Sequence, residues 1–277
     1  MHDFIGARVR ALADRLDRFF TDQRSLAEEQ KSQLRITPTV ESVEDRANDA
    51  SVPIDGRLVM PRLEDKLRFQ IRTVEDTEDD LVGDGETPVA ARGDDETKPS
   101  TLLGLVYTTV AEQARNVSVR GGLRFSDGNV KPAVSARGRV TAPAGIWITR
   151  VTLSLFYDDD EFGASTLLDF DRLLGDATLF RSASRITVTE TSEGAELLQS
   201  FLLRHLPTEH TGVELFFTTE AHTAPTTVAD QYIVGVTYRT RVWKDWLTLS
   251  LRPELRYPRD IGFEREAALI IKFEAVF

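Results

Sequence analysis

The sequence predicts an all-β fold, an up-and-down antiparallel array of twelve to fourteen strands behind a short amphipathic helix. Three observations predict it. Hydrophobicity alternates with period 2 through most of the chain, the alternating runs have similar lengths, and turn residues separate them. In the run from Trp147 to Tyr157, Val151, Leu153, Leu155 and Tyr157 share one face, with Arg150, Thr152 and Ser154 opposite. Leu247, Leu249, Leu251 and Leu255 alternate in the same way with Thr248, Ser250, Arg252, Glu254 and Arg256.

Residues 1–31 form an amino-terminal unit in which Ile5, Val9, Leu12, Leu16 and Phe19 recur at spacings of four and three, the apolar stripe of an amphipathic helix. That helix suits a plug, a surface helix or a packing partner for the strands. Residues 32–277 form the strand unit. Its segments are 33–43, 52–60, 65–74, 102–111, 117–125, 130–141, 146–157, 164–172, 178–189, 195–206, 213–221, 231–241, 246–257 and 266–277. The first two are the weakest, and the phase of 102–111 and of 195–206 is open. Ser126-Asp-Gly-Asn129, Ala142-Pro-Ala-Gly145 and Glu193-Gly194 supply turn chemistry between them.

Composition sets the outer limits. The chain has 277 residues, 34 Lys and Arg against 45 Asp and Glu, and a net charge of -11, which argues against nucleic acid as a partner. The absence of cysteine excludes disulfide scaffolds, thiolate zinc sites and thiol nucleophiles. No apolar run approaches the ~18 residues of a transmembrane helix.

A soluble all-β binding protein would alternate too, with its apolar face turned inward. Four features favour a transmembrane barrel instead. The segments match the ~9 to 11 residues of a tilted spanning strand. Connectors alternate short and long. The polar faces are rich in arginine. Trp147, Trp243 and Trp246 fall at one set of strand ends and Tyr157, Tyr232 and Tyr257 near the other, as two aromatic girdles would.

The last strand carries a resemblance. Leu269, Ile271, Phe273, Ala275 and Phe277 share one face, with Lys272 and Glu274 on the other. This ending resembles the carboxy-terminal assembly signal of Gram-negative outer-membrane β-barrels. The resemblance implies the barrel-assembly machinery as a reader of Leu269, Ile271, Phe273 and Phe277, and outer-membrane lipid and lipopolysaccharide as surroundings. It also implies export, so a signal peptide is expected to have been removed or to lie upstream of Met1. Such barrels end on the periplasmic side, which makes 44–51, 75–101, 126–129, 158–163, 190–194, 222–230 and 258–265 the outer loops.

On that assignment the outer loops carry a net -18, the periplasmic turns -2, the first 31 residues 0 and the strands +9. A basic wall inside an acidic rim predicts that the lumen is lined by Arg120, Arg124, Arg137, Arg139, Arg150, Arg239, Arg241, Arg252, Arg256 and Lys272, with Glu254 and Glu274 among them. This leaves two non-enzymatic readings: a small anion-leaning channel, or a structural barrel closed by pairs of arginine with aspartate or glutamate. The outer loop 75–101 holds ten acidic residues against Arg92 and Lys98. It offers carboxylates to divalent cations, but the spacing is not that of an EF-hand, and a solvated loop is the favoured reading.

No nucleotide-binding glycine motif, HExxH pair or GxSxG elbow occurs, and no cofactor or metal is expected. An outer-membrane hydrolase is the enzymatic alternative. Asp158, Asp159 and Asp160 in one outer loop, with Glu220 and His222 at another, are loosely similar to the paired Asp and Asp–His groups of the omptin proteases. Here the second pair reads Glu-Ala-His, and the strand count differs.

Overall fold

The computed structural model describes residues 32–59, 67–74, 100–112, 114–126, 128–158, 160–243 and 246–277, together with Leu12, Arg15, Leu16, Phe19 and Phe20. Sixteen strand segments form one sheet: β1 (Gln33–Ile36), β2 (Thr39–Val43), β3 (Asp49–Ser51), β4 (Ile54–Val59), β5 (Leu67–Val74), β6 (Ser100–Glu112), β7 (Arg115–Ser126) and β8 (Asn129–Ala144), then β9 (Trp147–Asp158), β10 (Glu161–Leu173), β11 (Thr178–Thr189), β12 (Ala195–His205), β13 (Thr211–His222), β14 (Val228–Trp243), β15 (Leu247–Pro258) and β16 (Glu266–Val276). Every pairing is antiparallel, and all join sequence neighbours except β1–β4, which bypasses β2 and β3, and the seam, where β1 and β2 both pair with β16 and close the sheet on itself.

The wall has fourteen staves, because β1 and β2 are two parts of one strand and β3 and β4 two parts of the next. Proline explains both breaks. Pro38 and Pro53 have no N–H to give a ladder. Their carbonyls remain in use, accepting from Phe273 and Thr37 at 2.9 and 3.0 Å. Pro253 leaves a third mark. The β14–β15 register passes from Gly235↔Glu254 directly to Tyr238↔Leu251, skipping the positions opposite this proline.

The distribution of burial is inverted relative to a soluble protein. The most enclosed side chains include Arg181, Arg204, Asp169, Asp171 and Thr152, while Leu155, Leu153 and Phe162 are 64%, 56% and 63% exposed. Alternation along β9 shows the cause: Arg150, Thr152 and Ser154 point inward, and Val151, Leu153 and Leu155 point out. A contiguous apolar outer belt needs an apolar medium around it. Aromatic residues border it. Trp243 and Trp246 pack 6.1 Å apart and Trp246 lies 5.5 Å from Phe277 at one rim, here called the terminal rim. At the opposite rim Tyr232 lies 6.3 Å from Phe217 and 5.5 Å from Phe263. Leu269, Phe273 and Phe277 face outward as the alternation predicts, at 41%, 45% and 66% exposure.

Register settles the two open phases. In β6 the inward positions are Ser100, Leu102, Gly104, Val106 and Thr108, and in β12 they are Glu196, Leu198, Ser200, Leu202 and Arg204. Gly104 and Gly122 face each other across β6 and β7. A Cβ at Gly122 would fall 2.8 Å from the Gly104 Cα and closer still to the Leu103 carbonyl oxygen. Gly122→Val is therefore expected to cost about 1 to 3 kcal/mol through overpacking against backbone, read as a lower urea midpoint for the refolded protein. An unchanged midpoint would mean that this pair of strands can separate.

Candidate functional site: the lumen and its arginines

Inward-facing charges divide into two sectors. Along β9–β16 cations and carboxylates interleave. Arg181, fully enclosed on β11, binds Asp171 of β10 through two bonds, Nε to Oδ1 at 2.6 Å and Nη2 to Oδ2 at 2.8 Å. Arg150 of β9 lies 3.8 Å from Asp169 and 3.9 Å from Asp171. Arg204 donates to Glu214 at 2.5 Å across β12 and β13. Nearer the seam, Glu254 accepts from Arg252 and Arg256, each at 2.6 Å, and Arg256 also reaches Glu41 of β2 at 2.6 Å. Glu274 takes Arg239 at 2.8 Å and Arg35 of β1 at 3.4 Å. Charged pairs this enclosed fix the wall's geometry, since their desolvation is offset only when both partners are held.

The sector from β4 to β8 is different. Its inward faces carry Arg57, Arg68, Arg72, Arg120, Arg124, Arg137, Arg139 and Lys131, and among the described residues only Asp55 brings negative charge. Asp158, arriving from β9, takes Arg124: Nε donates to Oδ1 at 2.9 Å, Nη2 donates to Oδ2, and Nη1 donates to Ser100 at 2.7 Å. Arg68 donates to Thr108 at 2.5 Å, and Arg72 lies 3.5 Å from Asp55. Register sets Arg120 beside Ser135, Arg137 between Ser118 and Ser154, and Arg139 between Asn116 and Thr152. On these ladders the cross-strand neighbours of the three guanidiniums are hydroxyls and an amide.

By cross-strand register the twelve charges singled out in the sequence, Arg120, Arg124, Arg137, Arg139, Arg150, Arg239, Arg241, Arg252, Arg256, Lys272, Glu254 and Glu274, share the sheet face that carries the buried Asp169 and Asp171. Sequence reading passed over Arg35, Arg57, Arg181, Arg185 and Arg204, although the same alternation marks them. Two apolar clusters also face the lumen: Leu202, Phe216 and Ile233, and Leu102, Ala133 and Phe156. Arg252 sits over the Phe216 ring at 4.3 Å.

The acidic and histidine residues considered for hydrolysis are engaged separately. His222 Nδ1 meets Asp230 at 2.7 Å, and Glu220 accepts from Gln231 at 2.6 Å. Asp158 is held by Arg124. Asp160, at φ 68°, accepts from the Tyr157 hydroxyl at 3.3 Å and pairs with Lys131 at 3.2 Å. Strands β10, β11 and β12 lie between the two groups in the sheet. Asp159 and residues 75–99, the bulk of the acidic loop, lie outside the described residues. No group of three or more potential metal ligands occurs among the described residues.

No protein-family model matches the chain, and no curated protein matches it. Solved structures do. The chain is similar to the CymD monoaromatic hydrocarbon channel (TM-score 0.55, 6% identity, covering 91% of this chain and 90% of that one). It is also similar to a loop-deletion mutant of OmpT, an outer membrane protein of Vibrio cholerae (0.54, 11%, 89% and 98%). An anion-selective porin from Comamonas acidovorans gives 0.53 at 11% identity, covering 89% of this chain and 99% of that one. At these identities the likeness is one of fold: the chain has the closed antiparallel architecture of outer-membrane β-barrels.

Proposed function

We propose that this chain is a non-enzymatic outer-membrane barrel that passes small anions along the arginine sector of its lumen. The observation that carries the reading is the charge on β4–β8, where eight cations share the inward face with Asp55, and Asp158 and Asp160 meet Arg124 and Lys131 from the β9 edge. A narrow passage beside fixed guanidiniums lowers the electrostatic barrier for an anion and raises it for a cation. The paired sector on β9–β16 serves as the rigid wall opposite. The exposed apolar belt and its aromatic borders support residence in a bilayer. The outward row Leu269, Ile271, Phe273 and Phe277 suits recognition of the last strand by the barrel-assembly machinery. Lipopolysaccharide is then the outer-leaflet neighbour of the belt.

Closure of the lumen by ion pairs is the second reading, and the network around Arg150, Asp171 and Arg181 favours it locally. Reversal potentials across planar bilayers under a potassium chloride gradient separate the two. Chloride preference is expected. Arg137→Glu combined with Arg139→Glu should turn that preference toward potassium, by about tenfold in permeability ratio or roughly 1.4 kcal/mol. The shift should shrink in molar salt, where the screening length falls to ~3 Å. Absence of current at every voltage, or potassium preference in the native protein, would overturn the anion reading.

A further inference from the structure

Besides the two lumen-facing apolar clusters, a third apolar island lies on the inward surface at the terminal rim. Leu173 and Leu179 pair across β10 and β11 at their rim ends, and Leu206 follows β12. Leu12, Leu16 and Phe19, which have helical backbone, form one buried cluster with Leu179 and Leu206, and Phe20 and Leu173 pack against it. Leu16 is fully enclosed. The wall makes room for the two rings at Gly212 on β13, where a Cβ would lie 2.5 Å from both Phe19 and Phe20.

Two lumen cations cover the same rings. The Arg204 guanidinium lies 5.6 Å from the Phe20 centroid and that of Arg241 lies 5.8 Å from Phe19. Both geometries fit cation–π contacts. Arg15 adds an exposed ion pair with Glu209 at 3.7 Å, of the kind that contributes little. An apolar island with a missing side chain at its centre is a seat, and the occupant is this chain's own amino-terminal segment.

We propose that Leu12, Leu16, Phe19 and Phe20 form a plug seated inside the terminal mouth against β10–β14, one that gates the passage. Seated, it blocks that mouth and holds Arg204 and Arg241 under aromatic rings. Displaced, it opens the mouth and uncovers Arg241 and the Arg204–Glu214 pair. The gating half of this inference rests on the anion-channel reading, whereas the seating half stands without it.

The chain has no cysteine, so Leu16→Cys introduces a unique reporter into the full-length protein. In reconstituted vesicles a hydrophilic maleimide should label this thiol at least tenfold more slowly than in urea. Adding Gly212→Leu, which fills the seat, should restore labelling and raise planar-bilayer conductance severalfold with stronger chloride preference. Phe19→Asp, a change on the plug that leaves the wall untouched, should do the same if Gly212→Leu fails to fold. Rapid labelling of Leu16→Cys in the otherwise native protein would overturn the seating. Equal conductance with the thiol buried and labelled would overturn the gating while leaving a channel. Zero conductance in both states would remove the gating together with the channel reading.

Discussion

Arg181→Leu is expected to destabilise the barrel by about 3 to 5 kcal/mol, the cost of leaving a buried carboxylate without its partner. Arg181 has no solvent exposure and binds both oxygens of Asp171, which is itself 1% exposed. With the guanidinium gone, the cation left beside Asp171 among the described residues is Arg150, at 3.9 Å. Urea unfolding of the refolded protein, followed by tryptophan fluorescence, measures the loss. The double variant Arg181→Leu with Asp171→Leu should recover much of it, because well-packed apolar residues replace a buried pair at little cost. A single variant within about 1 kcal/mol of native would mean that water reaches Asp171 and that the lumen is wider at β10–β11 than its burial indicates.

Leu153→Arg tests the outer face. Leu153 sits midway along β9, points outward and is 56% exposed. Were the belt to face water, a surface change of this kind would stay within about 0.5 kcal/mol. In a bilayer, an arginine at mid-depth costs about 2 to 4 kcal/mol. Equilibrium unfolding from lipid vesicles should therefore place Leu153→Arg well below Leu153→Ala. Thr152→Ala, one residue away but facing the lumen, controls for damage to β9 itself. If Leu153→Arg and Leu153→Ala unfold together, the membrane reading fails.

Much of this fold was legible as parity. Wherever one face is charged and the other branched or aromatic, as in β9, β13 and β15, sequence alone assigns inside and outside. Parity failed in β6 and β12 because their inward residues include Leu102, Val106, Leu198 and Leu202, leaving both faces apolar. Only cross-strand register resolves such strands. The lumen's charge was legible in sum but not in arrangement. Arg256 and Glu41 are far apart in sequence and meet because the seam brings β2 beside β16, whose other neighbour is β15. The concentration of cations on β4–β8 likewise comes from strand order, since Arg57 and Arg139 become members of one strip only when five consecutive staves are laid side by side. Pro38 and Pro53 were visible throughout, but that their breaks fall beside one another depends on the pairing of β1 with β4.

The seam also decides how the barrel comes to exist. Arg35 pairs with Val276 and Ile36 with Ala275, residues from opposite ends of the strand unit, so closure is the most non-local event in folding. Until β16 is in place, β1 and β2 present unpaired edges, and so does the growing sheet at its other end. Open edges of this kind invite pairing with other chains. The unclosed chain is thus the hazardous species, and its lifetime is set by how fast its two ends find each other.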